Sequence, residues 1–582
     1  MNNDKEPAGL KRLAVIAALQ EISALLRLKT DDPYRSAAYA NAASAIAAFD
    51  GDFEALVKAK RLTEIRGVGK SLAGAIDEIY STGTSSVLEQ LRQELPPGAL
   101  LLSKVAGLTL PKIKALHERL GISNIDQLRA AIEAGKLRGV PGFTEKTEGA
   151  LLQRISSNET RDTNILLANA LEIGEKVVDH LRAAPESLRV DLAGEARRWK
   201  ETVSIISITA MEAKGPHRLV NHFLDFPLIA SIESRGESEA QVRLIDGASV
   251  SVSVAPPGEY WNTLLDQTGS QAHLKRLKAI AKDKGIELTR SGLRPTAGRR
   301  TLKVDSESDI YEHLGMQYVP PELREDLGEV ESALSGEIAD DLITIKDIKG
   351  MVHCHTTYSD GRNTVEEMAR AAEAMGMKYM TITDHSPTAQ YAGGLSVDRL
   401  MKQWDEISRV QEKVSIKLLR GTESDILRDG ALDYPDRILE QFDVIIASIH
   451  NRYKLDEDQM TRRVITAMRN PLFKIWGHPS GRLVQRRPPI SCRYEEILDA
   501  IAESGAAIEI SGDPKRLDME PRWTREARKR GTRFVVSTDA HSVSDLEFLK
   551  FGIGIARRAG VRKGEVLNTL GAKAFQNRVR PT

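Results

Sequence analysis

Met351-Val352-His353-Cys354-His355-Thr356-Thr357-Tyr358-Ser359-Asp360-Gly361 decides how the C-terminal part of this chain is read. A short apolar run breaks into two histidines one residue apart, and an aspartate follows in the next loop. Outward from here the same grammar repeats. Seven apolar runs read as strands: Met351–His353, Tyr379–Thr383, Ile416–Arg420, Val444–Ser448, Phe473–Trp476, Ala506–Ile510 and Phe534–Ser537. Helical patterns separate them, so the strands are expected to be parallel, with helical crossovers. Six of the seven runs end in, or lead directly into, a His, Asp or Glu. In order these are His353 and His355 with Asp360, then Asp384 and His385, Glu423, His450, His478, and Asp539 with His541. A β/α barrel gathers all strand C-termini on one face. Residues scattered along the sequence are therefore expected to meet in one cup.

The residue types specify the chemistry. His353, His355, His385, His450, His478 and His541, with Asp360, Glu423 and Asp539, make six imidazoles and three carboxylates without a thiolate. That set suits Zn²⁺, Mn²⁺ or Fe. Nine ligands exceed the needs of one ion, so a cluster of two or three is expected, able to activate water and neutralise a phosphoryl oxygen. Any one of these histidines reads more readily as an ordinary core or loop residue. Ligands at six of seven strand ends do not.

The 582 residues predict three or four domains, and 41% hydrophobic with 28% charged residues is the composition of a globular chain. Net charge is zero, so nucleic-acid binding has to come from local patches and backbone loops. Cys354 and Cys492 are the two cysteines, which speaks against a secreted disulfide framework and points to the cytoplasm. Neither a leader with an apolar core nor a membrane span is expected, and the chain is read as a monomer.

Residues 8–158 read as helical, broken at IRGVGKS (65–71), VAGLTLPK (105–112) and RGVPGFTEKT (138–147). A helix over Arg161–Ala184 and β-rich runs at 203–210 and 249–255 make residues 160–320 α+β. The expected division is a helical unit (1–90), a second helical unit (91–158), an α+β region (159–325), an acidic linker (326–347) and the barrel (348–575).

Gly67-Val68-Gly69-Lys70 resembles a helix-hairpin-helix, whose Gly-rich turn presents backbone N–H groups to a DNA phosphate. Gly107 and Gly142 mark two further candidates, the first degraded because Thr109 stands where a second glycine belongs. A Gly turn between packed helices is the plainer reading of any one of them. His353 to Gly361 resembles the first motif of the PHP (polymerase and histidinol phosphatase) domain. Thr383-Asp384-His385-Ser386, Gly421-Thr422-Glu423, Ser448-Ile449-His450, Gly477-His478-Pro479 and Ser537-Thr538-Asp539-Ala540-His541 match its later motifs in order. The resemblance implies a distorted seven-stranded barrel with a trinuclear centre. Asp32-Pro33-Tyr34-Arg35, Gly194-Glu195-Ala196-Arg197-Arg198 and Thr268-Gly269-Ser270 with His273 resemble bacterial family X DNA polymerases, so the whole chain resembles such a polymerase with a C-terminal PHP domain, which implies a DNA-binding unit over 1–90, a fingers-like unit over 91–158 and a palm and thumb over 159–325.

The palm departs from that pattern. The family's three metal-binding aspartates fall at Ile205, Ser207 and Ser251, and Glu195 replaces a small residue of the phosphate loop. Without carboxylates to hold Mg²⁺, templated synthesis is expected to be lost or very weak. Asp246 precedes Gly247 in an apparent turn and is a poor substitute. The lyase lysine position is Ala75, and Lys70 reads better as a phosphate contact. The resemblance implies 3′→5′ exonuclease action on gapped, nicked or 3′-ended DNA, with abasic-site cleavage as an extension. Asp360 is assigned to the reacting centre, Arg428 and Arg516 are candidate phosphate clamps, and Asp384 is expected to orient His385. Three other readings stay open: an active gap-filling polymerase, a small-molecule phosphatase of the histidinol-phosphatase type, and a non-enzymatic DNA scaffold.

Overall fold

The computed structural model describes residues 8–581, apart from 30–32, 48, 50–51, 66, 104, 106–107, 145–146, 150, 152–163, 214, 216, 298–299 and 452–453. Helices Ala8–Lys29, Pro33–Ala47, Phe53–Lys58, Lys70–Thr82, Ser86–Glu94, Ala99–Ser103, Leu110–Leu120 and Ile125–Glu133 open the chain. They share one apolar core that includes Leu19, Ile22, Ile46, Ile76, Leu102 and Ile113. The three sequence breaks close in the same way. Val68 N–H donates to Ile65 O (2.9 Å), Leu108 to Val105 O (3.0 Å) and Phe143 to Val140 O (3.2 Å). Each turn buries its second apolar residue, so Thr109 does not spoil the middle one. No described helix is long and apolar enough to cross a membrane.

A five-stranded sheet follows, built from β1 (Ser187–Leu192), β2 (Ile206–Glu212), β3 (Ile229–Arg235), β4 (Glu239–Leu244) and β5 (Ser249–Ala255). Its order is β1-β2-β5-β4-β3, and only β2 and β5 run parallel. Helices Tyr260–Thr268, Gln271–Asp283 and Glu307–His313, with the hairpin Ile286–Thr289/Gly292–Pro295, form the thumb-like region. Residues 326–347, expected to be a linker, are folded. Helix Glu329–Ser335 packs Val330 and Ala333 into the core around Leu277 and Tyr311, and Ile343 N–H bonds Val561 O at 3.0 Å. Acidic composition suggested a solvated connector, but Glu329 spends its charge on buried His273 (2.6 Å).

The C-terminal sheet has seven parallel strands in sequence order: β6 (Gly350–Met351), β7 (Tyr379–Ile382), β8 (Lys417–Asp425), β9 (Val444–Ser448), β10 (Ile475–Trp476), β11 (Ala507–Ser511) and β12 (Arg533–Ser537). Closure comes just past the ends of β6 and β12. There Cys354 bridges Ala540 in parallel, with His355 N–H to Ala540 O at 2.8 Å and Ala540 N–H to His353 O at 3.1 Å. Alternation along the strands turns Leu419, Val444, Ile446, Ile475, Ala507 and Val535 to one side, where they pack on Tyr379 and on Phe575 of helix Ala572–Val579. That helix plugs one end of the barrel; the histidines occupy the other. The palm side docks through Trp199, whose ring packs against Gly554 and lies edge-on to Phe551 (6.0 Å between centroids).

One buried charge network fixes the thumb. Glu307 binds Arg324 (2.6 Å) and, through both oxygens, Arg197 (3.0 and 2.6 Å). Burial pushes the Glu307 carboxyl up, but Arg324 and Arg197 outweigh it and hold it at about 2. Glu307→Ala leaves Arg324 buried without its carboxylate, at a cost of about 3–5 kcal/mol. Denaturant unfolding and amide exchange over Glu307–His313 will read the loss. A depressed carboxyl stabilises fully above its ordinary 4.5 and loses its contribution as pH falls toward 2, so the gap between parent and variant narrows over that range.

Candidate metal centre

All nine predicted ligands meet in one cup. Glu423, well inside β8 rather than beyond its end, is the hub. Its Oε1 lies 2.8 Å from His478 Nε2, 3.1 Å from His450 Nε2 and 3.3 Å from His353 Nε2. Its Oε2 lies 3.0 Å from His385 Nδ1 and 3.5 Å from His355 Nε2. Asp539 Oδ1 approaches His355 Nε2 (3.2 Å) and His353 Nε2 (3.4 Å). Asp360 Oδ1 approaches His541 Nε2 (3.4 Å) and His385 Nε2 (3.6 Å). Three sets of donor atoms are compact enough to hold an ion: His355, Asp360, His385 and His541; His353, His355, Glu423 and Asp539; and His385, Glu423 and His450. His478 joins through Glu423.

The site fits metal ions on its own polar accounting. Buried His353 Nε2, both ring nitrogens of His355, His385 Nδ1 and Glu423 Oε2 have no hydrogen-bond partner. Each such orphan costs about 1–3 kcal/mol in a site built for nothing. A cation satisfies them together. Electrostatics agree. Burial pushes Asp360 up, but His541, His355 and His385 hold its carboxyl at about 2. Burial lowers His450, but Glu423 and Asp425 raise it to about 10. The carboxylates thus stay ionised and recruit positive charge, which divalent cations supply in place of protons.

Partners behind the ligands fix their ring orientation. His353 Nδ1 pairs with Glu509 (2.5 Å), His450 Nδ1 with Asp425 (2.8 Å), and His541 Nδ1 with the Asp539 carbonyl (2.8 Å). Glu509 also accepts from Ser537 Oγ (2.6 Å) and from the His478 backbone N–H. Sequence reading missed Glu509 and Asp425. The missing signal was alternation: Ala507 faces the barrel interior, so Glu509, two residues on, does too.

Asp384 corrects one expectation. Its carboxylate makes no bond to His385; it accepts from Thr356 N–H (2.8 Å), Thr356 Oγ1 (2.7 Å), Ser359 Oγ (2.5 Å) and Gln403 Nε2 (2.6 Å). It therefore moors the loop that carries Asp360. The two arginines separate. Arg516 stands at the cup, its Nε 3.4 Å from Asp539 Oδ2, whereas Arg428 is exposed in a turn with no described contact to the cluster.

Elsewhere, Gly67 has φ +97°, and Gly69 caps helix Lys70–Thr82 with open space at its Cα. Lys70 and Gly142 are exposed; Gly107 lies outside the described residues. In the palm, Ser207 and Ser251 are register partners on β2 and β5. A Cβ on Gly194 would come within 2.8 Å of Ser207 Oγ, so that strand position faces the Gly194 loop. Ile205 lies just before β2. Glu195 accepts from Ser204 N–H (2.7 Å) and pairs with Lys200, while Asp246 accepts from Ala248 N–H (2.9 Å) in its turn.

A parallel barrel with a His/Asp/Glu cup that could hold metal ions is here joined to a polymerase-type thumb and helical hairpins, the build of an enzyme that handles DNA. Comparison with known proteins identifies each of these regions. Family models match for a helix-hairpin-helix domain (residues 11–85), a DNA polymerase beta thumb (263–325) and a PHP domain (352–512). The chain is 32% identical over 562 residues to the DNA polymerase/3′-5′ exonuclease PolX of Bacillus subtilis (strain 168), covering 96% of this chain and 97% of that one. The C-terminal region alone is 30% identical over 229 residues to a "probable phosphatase" of Thermoanaerobacter sp. (strain X514), covering 37% of this chain and 89% of the relative. The chain belongs to the bacterial family X DNA polymerases that carry a C-terminal PHP domain. Asp539 and His541 complete the cup from beyond the matched PHP stretch.

Glu509→Gln puts an amide NH₂ against either His353 Nδ1–H or the His478 N–H, since one carbonyl oxygen cannot serve both. Metal affinity, followed by titration of the purified chain with Mn²⁺ or Zn²⁺, is expected to fall about 10- to 100-fold.

Proposed function

We propose that this chain degrades DNA from its 3′ end at the PHP cup and no longer carries out efficient templated synthesis. The nine-ligand cup around Glu423 supports the first half of this reading, and the facing Ser207–Ser251 pair supports the second. The Bacillus subtilis relative is named for both activities; here the palm offers Ile205, Ser207 and Ser251 at the positions read as those of the carboxylates a polymerase needs for its metal ions.

His353, His355, Asp360, His385, Glu423, His450, His478, Asp539 and His541 would hold a cluster of Mn²⁺ or Zn²⁺, with Fe as a further option. When bound, such ions lower the pKa of water and neutralise phosphoryl oxygens. The protein's own groups do the rest. Asp384 fixes the loop that delivers Asp360. Glu509 and Asp425 keep His353 and His450 with Nδ1 protonated, so each Nε2 lone pair faces the cup. Arg516 presents a guanidinium at the cup, suited to a phosphate oxygen. In the hydrolysis a water oxygen bonds to phosphorus as the phosphorus–O3′ bond of the penultimate nucleotide breaks, and that oxygen leaves with a proton. The hairpin turns at Gly67–Lys70 and Gly142 hold the DNA backbone through N–H groups. Gapped, nicked or 3′-ended DNA is the substrate class, and the chain acts as a cytoplasmic monomer.

A second reading, a phosphatase for small esters, draws on the likeness of the C-terminal region to the phosphatase relatives. Degradation of 3′- and 5′-labelled DNA in Mn²⁺ or Zn²⁺ separates the two. Stepwise loss from the 3′ end that disappears in Asp360→Asn is the expected result. Faster turnover of a small phosphomonoester than of DNA favours the phosphatase. Primer extension with Mg²⁺ and all four nucleotides is expected to give no product; robust extension would overturn the degenerate-palm reading.

A further inference from the structure

We propose that the hairpin of residues 481–489, together with Lys515 on the adjoining loop, is a contact surface for the phosphate backbone of a single DNA strand passing from the palm side to the PHP cup. This rests on the exonuclease reading and deepens it. The hairpin begins three residues after the ligand His478, and Gly481 N–H bonds His478 O at 2.9 Å. Its sequence, Gly481-Arg482-Leu483-Val484-Gln485-Arg486-Arg487-Pro488-Pro489, carries three arginines and no carboxylate. The turn closes through Leu483 N–H to Arg487 O (2.9 Å) and Arg487 N–H to Leu483 O (2.8 Å), with Gln485 at φ +62°. Its tip reaches both neighbours. Gln485 Nε2 donates to the Asn164 carbonyl on the palm side, and Val484 N–H donates to Lys515 O (2.8 Å).

The cations of this seam divide into two kinds. Arg482 is buried and holds the joint: it donates Nε to Arg516 O (2.8 Å) and Nη2 to Leu517 O, and it pairs with Glu201 of the palm side (3.4 Å) and with Glu520 (3.3 Å). Arg487 donates Nε to Gly481 O (2.9 Å) inside the hairpin. Arg486 and Lys515 are exposed, and neither side chain takes an ion pair among the described residues. The carboxylates of the adjoining loop are engaged elsewhere. Asp518 accepts from Ser480 N–H (3.0 Å), Glu520 faces Arg482, and Asp513, which feels the charge of Lys515, lies 3.5 Å from Arg516. Arg516 follows Lys515 and reaches within 3.4 Å of Asp539 Oδ2, so the row Arg486, Lys515, Arg516 runs from the palm joint to the cup. A chain of zero net charge has no global field to hold DNA, and exposed cations on fixed backbone supply a local one. Contacts of this kind release counterions and read no sequence, which suits a strand fed stepwise into a hydrolytic site.

Binding of a fluorescent single-stranded oligonucleotide to the full chain, followed by anisotropy across a salt series without added divalent ion, tests the proposal. Each phosphate contact on a single strand contributes about 0.7 to the slope of log K against log salt. Arg486→Ala combined with Lys515→Ala is expected to make that slope shallower by about 1.4. Arg486→Lys with Lys515→Arg keeps both charges and should keep the slope. Lys573→Ala removes an exposed cation from the helix that plugs the far end of the barrel and should leave the slope unchanged. In degradation of 3′-labelled DNA the double alanine variant should raise KM with little change in kcat, while turnover of a small phosphomonoester stays at the parent rate. An unchanged slope in the double alanine variant, or an equal loss in Lys573→Ala, overturns the contact surface. A parent that binds the strand with the expected slope change yet does not shorten it sinks the exonuclease reading and leaves the contact surface standing.

Discussion

One carboxylate organises the C-terminal half. Glu423 is 1% exposed and lies within 3.5 Å of five imidazoles drawn from four strand ends. A buried anion is tolerable only where positive charge converges on it. That requirement sets the register of β8 against its neighbours: a shift of one residue would turn Glu423 to the other face and replace it with the hydroxyl of Thr422 or Ser424. The barrel is thus held from two ends, by dry packing around Phe575 and by charge around Glu423.

The same constraint reaches the backbone. His353, His478 and Asp539 sit at φ +65°, +23° and +50°, a region that side-chain-bearing residues rarely occupy. Each departure costs of order 1–3 kcal/mol and persists because its surroundings over-determine it. The surroundings are visible. His353 is pinned by Glu509 and by the Cys354–Ala540 bridge, and His478 by the Glu509 carboxylate on its backbone N–H. Asp539 is flanked by that same bridge. Strain gathers where a chain must leave a strand and aim a ligand inward at once.

Much of this was legible in the sequence because strands ending in ligands leave a double mark, apolar run then His or carboxylate. The seven runs coincide with the seven strands to within a few residues, although β8 extends to Asp425. What escaped was whatever depends on facing rather than order. Glu509 lies inside an apolar run and looks like an interruption until alternation is applied. Asp384 adjoins His385 in sequence, but neighbours on an extended chain point apart, so it serves the Thr356–Ser359 loop instead. Residues 326–347 misled through composition, because ion pairs had absorbed the charge that suggested solvent. The helical hairpins were read from glycines, whereas the structure repeats them through buried Val68, Leu108 and Phe143.

Trp199 ends the short helix and turn that begin at Gly194, and its indole is wedged against the bare Cα of Gly554 on a barrel helix. Arg558 reinforces the joint by donating to the Arg198 carbonyl at 2.7 Å. The loop that carries the palm motif is thus also a wall of the neighbouring barrel. A change that moved this loop would disturb the helix bearing Gly554, so the two halves cannot vary independently at this seam.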